Sequence, residues 1–173
     1  GQNPQTVIHG ESGNSVKAEP DNGFSFIKWS DGSTENPRKD SGVVRNIQVT
    51  AEFSANRYTL EYTADQNGSI EGDCLQTVGY GGSGTPVTAV ADQGYHFVRW
   101  SDGVTTASRS DLNVAGNIKV TAAFSVAQCD LTVNYGEGGG TYPHGAAVAV
   151  RADAPAHGQI FDRWRGDTEN IGD

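Results

Sequence analysis

The chain has 173 residues and a formal net charge of −9, with 12 Lys+Arg against 21 Asp+Glu. This acidic balance repels phosphate backbones and anionic headgroups, so neither nucleic acid nor a membrane surface is an expected partner. Hydrophobic residues make up 35% of the chain and 23 residues are glycine, which favours many short strands over long helices. No stretch approaches about 18 consecutive apolar residues, so no membrane insertion is expected.

Strict alternation of apolar and polar residues predicts most of the regular structure, because side chains on a half-buried strand alternate between its two faces. The predicted strands are residues 47–53, 58–64, 87–89, 95–100 and 118–124. Apolar residues never follow helical spacing over three turns, so any helix is limited to a short segment within 37–45 or 108–116. The sequence therefore predicts a mostly β protein.

The chain repeats itself at an offset of 71 residues, which decides its organisation. Residues 1–53 and 72–124 are identical at 26 of 53 positions without a gap, and a third, more divergent copy begins near Cys129. We therefore predict three modules of about 70 residues in tandem. Module 1 (residues 1–56) lacks the opening strand, module 2 (57–127) is complete, and module 3 (128–173) lacks the closing strand.

A phenylalanine and a tryptophan three residues later recur in each module, and these six aromatic residues are the predicted structural core. They are Trp29, Trp100, Trp164, Phe26, Phe97 and Phe161. The alternative is that the tryptophans form a carbohydrate-stacking surface. Tyr80, Tyr95 and Tyr142 are the better candidates for exposed aromatic rings.

Polar residues that recur do so in turn positions, which favours a scaffold over an active site. Asp31, Asp102 and Asp167 follow the tryptophans and are predicted turn residues, with a shared cation or ligand site as the alternative. The sequence contains no calcium loop, zinc-binding pair of histidines, nucleophile elbow or phosphate-binding loop. We therefore expect no catalytic residue, no metal and no cofactor, and we expect that the chain is not an enzyme.

Cys74 and Cys129 are the only cysteines, and neither belongs to the repeated pattern. A disulfide between them across modules 2 and 3 is one hypothesis, and it suits an oxidising location. Two free thiols are the alternative.

The repeated residues resemble a known family, the divergent InlB B-type repeats, which are related to the Listeria–Bacteroides repeats of bacterial surface and secreted proteins. The matching segments in module 2 are residues 58–60, 67–70, 76–78, 94–103 and 120–124. The resemblance implies compact β-grasp-like modules in an elongated array, at the bacterial cell surface or outside the cell, without catalytic residues of their own.

Two classes of function follow from these expectations. The first is a non-catalytic repeat array that acts as a spacer, an adhesive stalk or a surface-fibre segment, with other modules or chains as partners and self-assembly as one mode. The second is a glycan-binding accessory region of a secreted enzyme. The incomplete outer modules indicate either a chain cut from a longer one or strands donated between chains.

Overall fold

The computed structural model describes residues 3–166, and every regular element within them is a β-strand. The strands are β1 (Phe24–Trp29), β2 (Ala51–Ala55), β3 (Arg57–Ala64), β4 (Gly68–Glu71), β5 (Leu75–Gly79), β6 (Val87–Ala91), β7 (Tyr95–Trp100), β8 (Ser108–Arg109), β9 (Ile118–Val126), β10 (Gln128–Leu131), β11 (Gly136–Glu137), β12 (Gly140–Pro143) and β13 (Arg151–Ala152). The mostly β prediction is confirmed.

Module 2 is built on a four-stranded sheet in the order β5-β3-β9-β7. Its central pair joins the first and last long strands of the module in parallel, from Leu60 opposite Ile118 to Ala64 opposite Ala122. Strands β5 and β7 flank this pair in antiparallel register. The opening strand β3 and the closing strand β9 are therefore each other's partners at the centre of the sheet. If either strand is missing, the other loses this central partner.

A second sheet, β4-β6-β8, packs on the first. Side chains from both sheets and from the loop between β8 and β9 form one buried cluster: Leu60, Tyr62, Val87, Ala89, Trp100, Val114, Val120 and Ala122. The described residues contain no helix, so neither 37–45 nor 108–116 is helical, and the β-grasp-like detail is not confirmed. Within residues 3–166 no helix has the length and apolarity needed to cross a membrane.

Module 1 forms only part of the predicted strand at 47–53. Strand β2 begins at Ala51 and pairs with β1, whereas residues 47–50 are not in a strand. Their counterparts 118–121 pair with β3 in module 2. The described part of module 1 has no strand equivalent to β3, so the alternating segment has no partner there and Ile47 is 45% exposed.

Module 3 contains two short antiparallel pairs, β10 with β12 and β11 with β13. Phe161 lies 5.5 Å from Trp164 between ring centroids. It is 50% exposed, contrary to its predicted place in the core. In module 2 the equivalent Phe97 packs against Phe124 of the closing strand, at 6.0 Å. The described part of module 3 has no closing strand, so Phe161 lacks this cover.

Candidate functional site

The first candidate site is the junction between modules 1 and 2, where a single residue joins two strands. Asn56 lies between β2 and β3. Its N–H donates to the Gly23 carbonyl at 2.8 Å, and its carbonyl accepts from the Tyr80 N–H at 2.8 Å. One backbone unit is thus hydrogen-bonded to a loop of each module, which restricts rotation at the connection.

The ring of Tyr80 closes the same junction by lying directly on Gly23. A Cβ on Gly23 would come within 2.1 Å of Tyr80 Cγ, and the φ of Gly23 is +81°, so only glycine fits both the space and the backbone. The Asn22 side chain donates to the Tyr80 hydroxyl at 3.0 Å. The Tyr80 ring also lies beside Phe24 in an edge-type arrangement, at 6.4 Å between centroids.

The junction between modules 2 and 3 repeats this arrangement. Ala127 donates to the Gly94 carbonyl at 2.8 Å and accepts from the His144 N–H at 2.7 Å. A Cβ on Gly94, whose φ is +82°, would lie 2.3 Å from His144 Cδ2. We call the sets Gly23/Asn56/Tyr80 and Gly94/Ala127/His144 the first and second junctions. The two junctions share the same backbone hydrogen bonds and the same close packing of a side chain on a glycine, which indicates one defined way of joining modules.

A charged cluster covers the core of module 2. The buried Arg109 side chain lies 2.9 Å from Asp102 and 2.7 Å from Asp111, while its Cζ sits 5.1 Å above the Trp100 ring. The Tyr62 hydroxyl donates to Asp111 at 2.6 Å. We call these five residues the Arg109 cluster; it joins the opening strand to the second sheet and seals the tryptophan from solvent.

Module 1 repeats the arginine, aspartate and tryptophan contacts of this cluster around Arg38, which lies 2.8 Å from Asp31, 2.7 Å from Asp40 and 5.6 Å from the Trp29 ring. Asp31 also accepts from the Ser33 N–H at 3.2 Å, as expected of a turn residue. The aspartates after the tryptophans thus act in turns and in ion pairs. Asp167, the third of them, lies outside the described residues.

Arginine contacts govern the ionisation of the aspartates. Hydrogen bonding to Arg109 lowers the pKa of Asp102, and bonding to Arg38 lowers the pKa values of Asp31 and Asp40. Burial acts to raise the pKa of Asp111, but bonds from Arg109 and Tyr62 outweigh it and hold the value below normal. All four carboxylates are therefore charged at neutral pH.

These lowered pKa values predict acid destabilisation. The folded-state values lie below the unfolded value of about 3.9, so the stabilisation is present above that pH and is lost as the pH falls through the folded-state values. Urea-unfolding midpoints should be flat from pH 7 to about 5 and fall below about 4. Asp102→Asn should flatten this fall, whereas Asp73→Asn, at an exposed carboxylate, should not. Equal acid sensitivity in Asp102→Asn and the unmodified chain would contradict the assignment.

Both cysteines are free, exposed thiols, so the structure does not contain the predicted disulfide. Cys129 Sγ lies 3.9 Å from His144 Nδ1 at the second junction, and Cys74 Sγ lies 3.7 Å from the Gly72 carbonyl. In residues 3–166 no three His, Cys, Asp or Glu side chains form a group suited to a metal ion.

Sequence reasoning missed both the arginine clusters and the junction residues. Arg38 and Arg109 are identical at the 71-residue offset, as are Asp40 and Asp111, so the repeat itself carried this signal. The junction was harder to find. Tyr80 was predicted to be exposed but is half-buried against Gly23.

Equivalent junctions, one repeated core pattern and three copies in succession define a tandem array of small all-β modules. The chain belongs to the divergent InlB B-repeat family, whose sequence profile matches residues 1–57, 58–128 and 129–173. This family is typical of repeat modules in bacterial surface and secreted proteins. Comparison with curated proteins and with solved structures gave no significant match.

Proposed function

We propose that this chain is a non-catalytic spacer or stalk segment of a bacterial surface protein, in which the junctions hold successive modules in a fixed relation. The observation that carries the proposal is the repeated junction. A flexible linker would leave its backbone groups to solvent, whereas Asn56 and Ala127 are each hydrogen-bonded to both neighbouring modules. Nearest-neighbour contacts of this kind transmit orientation along a repeat array.

The alternative of a glycan-binding region requires exposed aromatic ring faces. Trp29 and Trp100 are 5% and 0% exposed and lie beneath Arg38 and Arg109, so neither ring face is open to a sugar. Trp164 is half-buried, and its Cη2 atom would lie 3.1 Å from a Cβ on Gly136. The equivalent positions therefore offer no repeated stacking platform, which favours the spacer.

Nitroxide labels on either side of the first junction would test the proposal. In a Cys129→Ser, Lys39→Cys background, one label sits on exposed residue 39 of module 1 and the other on native Cys74 of module 2. We expect a narrow distance distribution. A broad distribution, typical of a flexible linker, would overturn the proposal.

Gly23→Ala should broaden this distribution, because the new Cβ displaces the Tyr80 ring. Gly32→Ala is the matched control, since the φ of Gly32 is +89° and a Cβ there meets nothing within 4 Å. Both variants carry the same backbone strain, of about 1–2 kcal/mol. Equal broadening in both would assign the effect to strain in module 1 and contradict the role of the junction.

A further inference from the structure

Strand β5, at one edge of the central sheet of module 2, turns a row of backbone groups outward. Among the described residues β5 pairs only with β3. The Tyr62 N–H donates to the Cys74 carbonyl at 2.9 Å, and bonding alternates along an antiparallel pair, so the N–H and C=O groups of Leu75 and Thr77 point away from β3. The N–H of Thr59, opposite Thr77, likewise turns away from β5. We call the outward groups of Leu75 and Thr77 the β5 edge.

The side chains of the β5 edge lie on the open face of the sheet and carry no charge. Leu75 is 70% exposed and Thr77 is exposed, whereas Gln76 and Val78 on the other face are buried and half-buried. Residues 74–80 include no charged side chain, although the chain has a net charge of −9. Two copies can therefore meet at this strand without opposing carboxylates at the contact.

The other sheet edges of module 2 have features that hinder strand pairing. Strand β7 has a bulge between Phe97 and Arg99, and the Arg99 side chain is exposed. Strand β8 has two residues, and β4 has four and ends at the charged Glu71. Strand β5 has five residues in continuous register with β3, so it offers the longest regular edge.

Prolines occur in the equivalent strand of the neighbouring modules. Leu75 corresponds to Pro4 at the 71-residue offset. In module 3, Pro143 ends β12, and the His144 N–H beside it donates to the Ala127 carbonyl at 2.7 Å, so Pro143 occupies an outward position. Proline has no N–H to offer an added strand. Strand β5, by contrast, keeps the N–H donors at its outward positions.

We infer that the β5 edge joins two copies of this chain through antiparallel pairing of β5 with β5 across a twofold axis. Leu75 of each copy exchanges both backbone hydrogen bonds with Thr77 of the other, and the exposed leucine covers the threonine methyl group. The Gly79 carbonyl, the next outward acceptor, already accepts from the Gly82 N–H at 2.9 Å, which favours this register. The contact is self-complementary, because each edge supplies both members of the pair. It goes beyond a spacer role by linking two arrays side by side.

Sedimentation velocity of the full chain tests this inference, with Cys74→Ser and Cys129→Ser present to exclude disulfide-linked dimers. The contact is short, so we expect a weak dimer whose fraction rises between about 10 µM and 1 mM. Higher salt should increase that fraction, because it screens the repulsion between two acidic chains. A monomer at about 1 mM in both low and high salt would overturn the inference.

Two variants of the edge identify the surface that pairs. Leu75→Pro removes an outward N–H without removing a bond to β3 and should weaken association about tenfold or more. Thr77→Glu adds a charge but keeps the donor, and it should weaken association similarly if the proline variant misfolds. Val98→Glu is the matched control, since it adds the same charge on β7, where Val98 is 41% exposed, and should leave association unchanged. Unchanged association in both β5 variants, or an equal loss in Val98→Glu, would overturn the inference.

Hydrogen exchange and cross-linking test the register. As concentration rises, the amides of Leu75 and Thr77 should gain protection, whereas that of Gln76, which faces β3, should not. In the serine background, a mixture of Leu75→Cys and Thr77→Cys chains should form mixed disulfides, because a hydrogen-bonded pair places the Cα atoms about 5.5 Å apart. Leu75→Cys alone should cross-link less, since its two copies lie roughly 8 Å apart on a diagonal. Protection at β7 instead of β5, or equal cross-linking in the single variant, would refute this pairing.

Discussion

Replacing Trp100 with alanine should lower the free energy of unfolding of module 2 by about 3–5 kcal/mol, as is typical for a large aromatic residue in a core. The Trp100 side chain is fully buried. Its ring lies 6.1 Å from Tyr62 and 6.0 Å from Phe97 between centroids, and its indole N–H donates to the Thr106 carbonyl at 3.1 Å. The substitution leaves a cavity between the sheets and an unpaired carbonyl.

A loss of this size is comparable to the whole stability of a small module, so we expect module 2 to be largely unfolded at 37 °C. Two-dimensional amide spectra resolve the modules and should show loss of dispersion for residues 57–127. Trp164→Ala is the control, because Trp164 is only half-buried and should leave module 2 folded. Native dispersion in module 2 with an unchanged urea midpoint in Trp100→Ala would contradict the central role of Trp100.

The alternation of apolar and polar residues predicted the three longest strands of the central sheet of module 2. Strands β3, β7 and β9 lie where the pattern placed them, because each has a buried face in a complete sheet. The same pattern at 47–50 forms no strand in the structure. Periodicity reports which face a residue prefers, whereas pairing depends on a partner strand, and the described part of module 1 contains none for this segment.

Short strands were predicted less well. Within module 2 the prediction omitted β4, β5 and β8, because four or fewer residues in β4 and β8 give little periodicity and β5 mixes polar and apolar residues on both faces. They form because antiparallel pairing with β6 or β3 places them. Tertiary context, rather than local preference, specifies these elements.

The candidate sites were partly visible in the repeat. Identity at the 71-residue offset marked Arg109 and Asp111, but the contact with Tyr62 joins residues far apart in the chain, and only the fold brings them together. The repeat pattern did not indicate that the two junctions are equivalent. Tyr80 of the first junction and His144 of the second differ in type and are 64 residues apart, so the 71-residue offset does not align them.

Arg109→Leu should destabilise module 2 by about 3 kcal/mol, near the lower end of the range for breaking a buried ion pair. Leucine retains apolar cover over Trp100 but leaves Asp111, 16% exposed, without its cation. Asp102 is 38% exposed and regains water more readily, so it adds less to the loss. The urea midpoint of module 2, followed by far-UV circular dichroism and by amide spectra, measures the effect.

Arg38→Leu in module 1 is the matched control and should cost less. The partners of Arg38, Asp31 and Asp40, are 42% and 34% exposed, so solvent replaces more of the lost interaction. If the uncompensated Asp111 carboxylate is the cause, Asp111→Asn in the Arg109→Leu background should recover part of the stability, because a neutral amide costs less to bury than a charge. Equal losses in the two arginine variants, with no recovery in the double variant, would mean that packing over the tryptophan, and not the ion pair, accounts for the cluster's contribution.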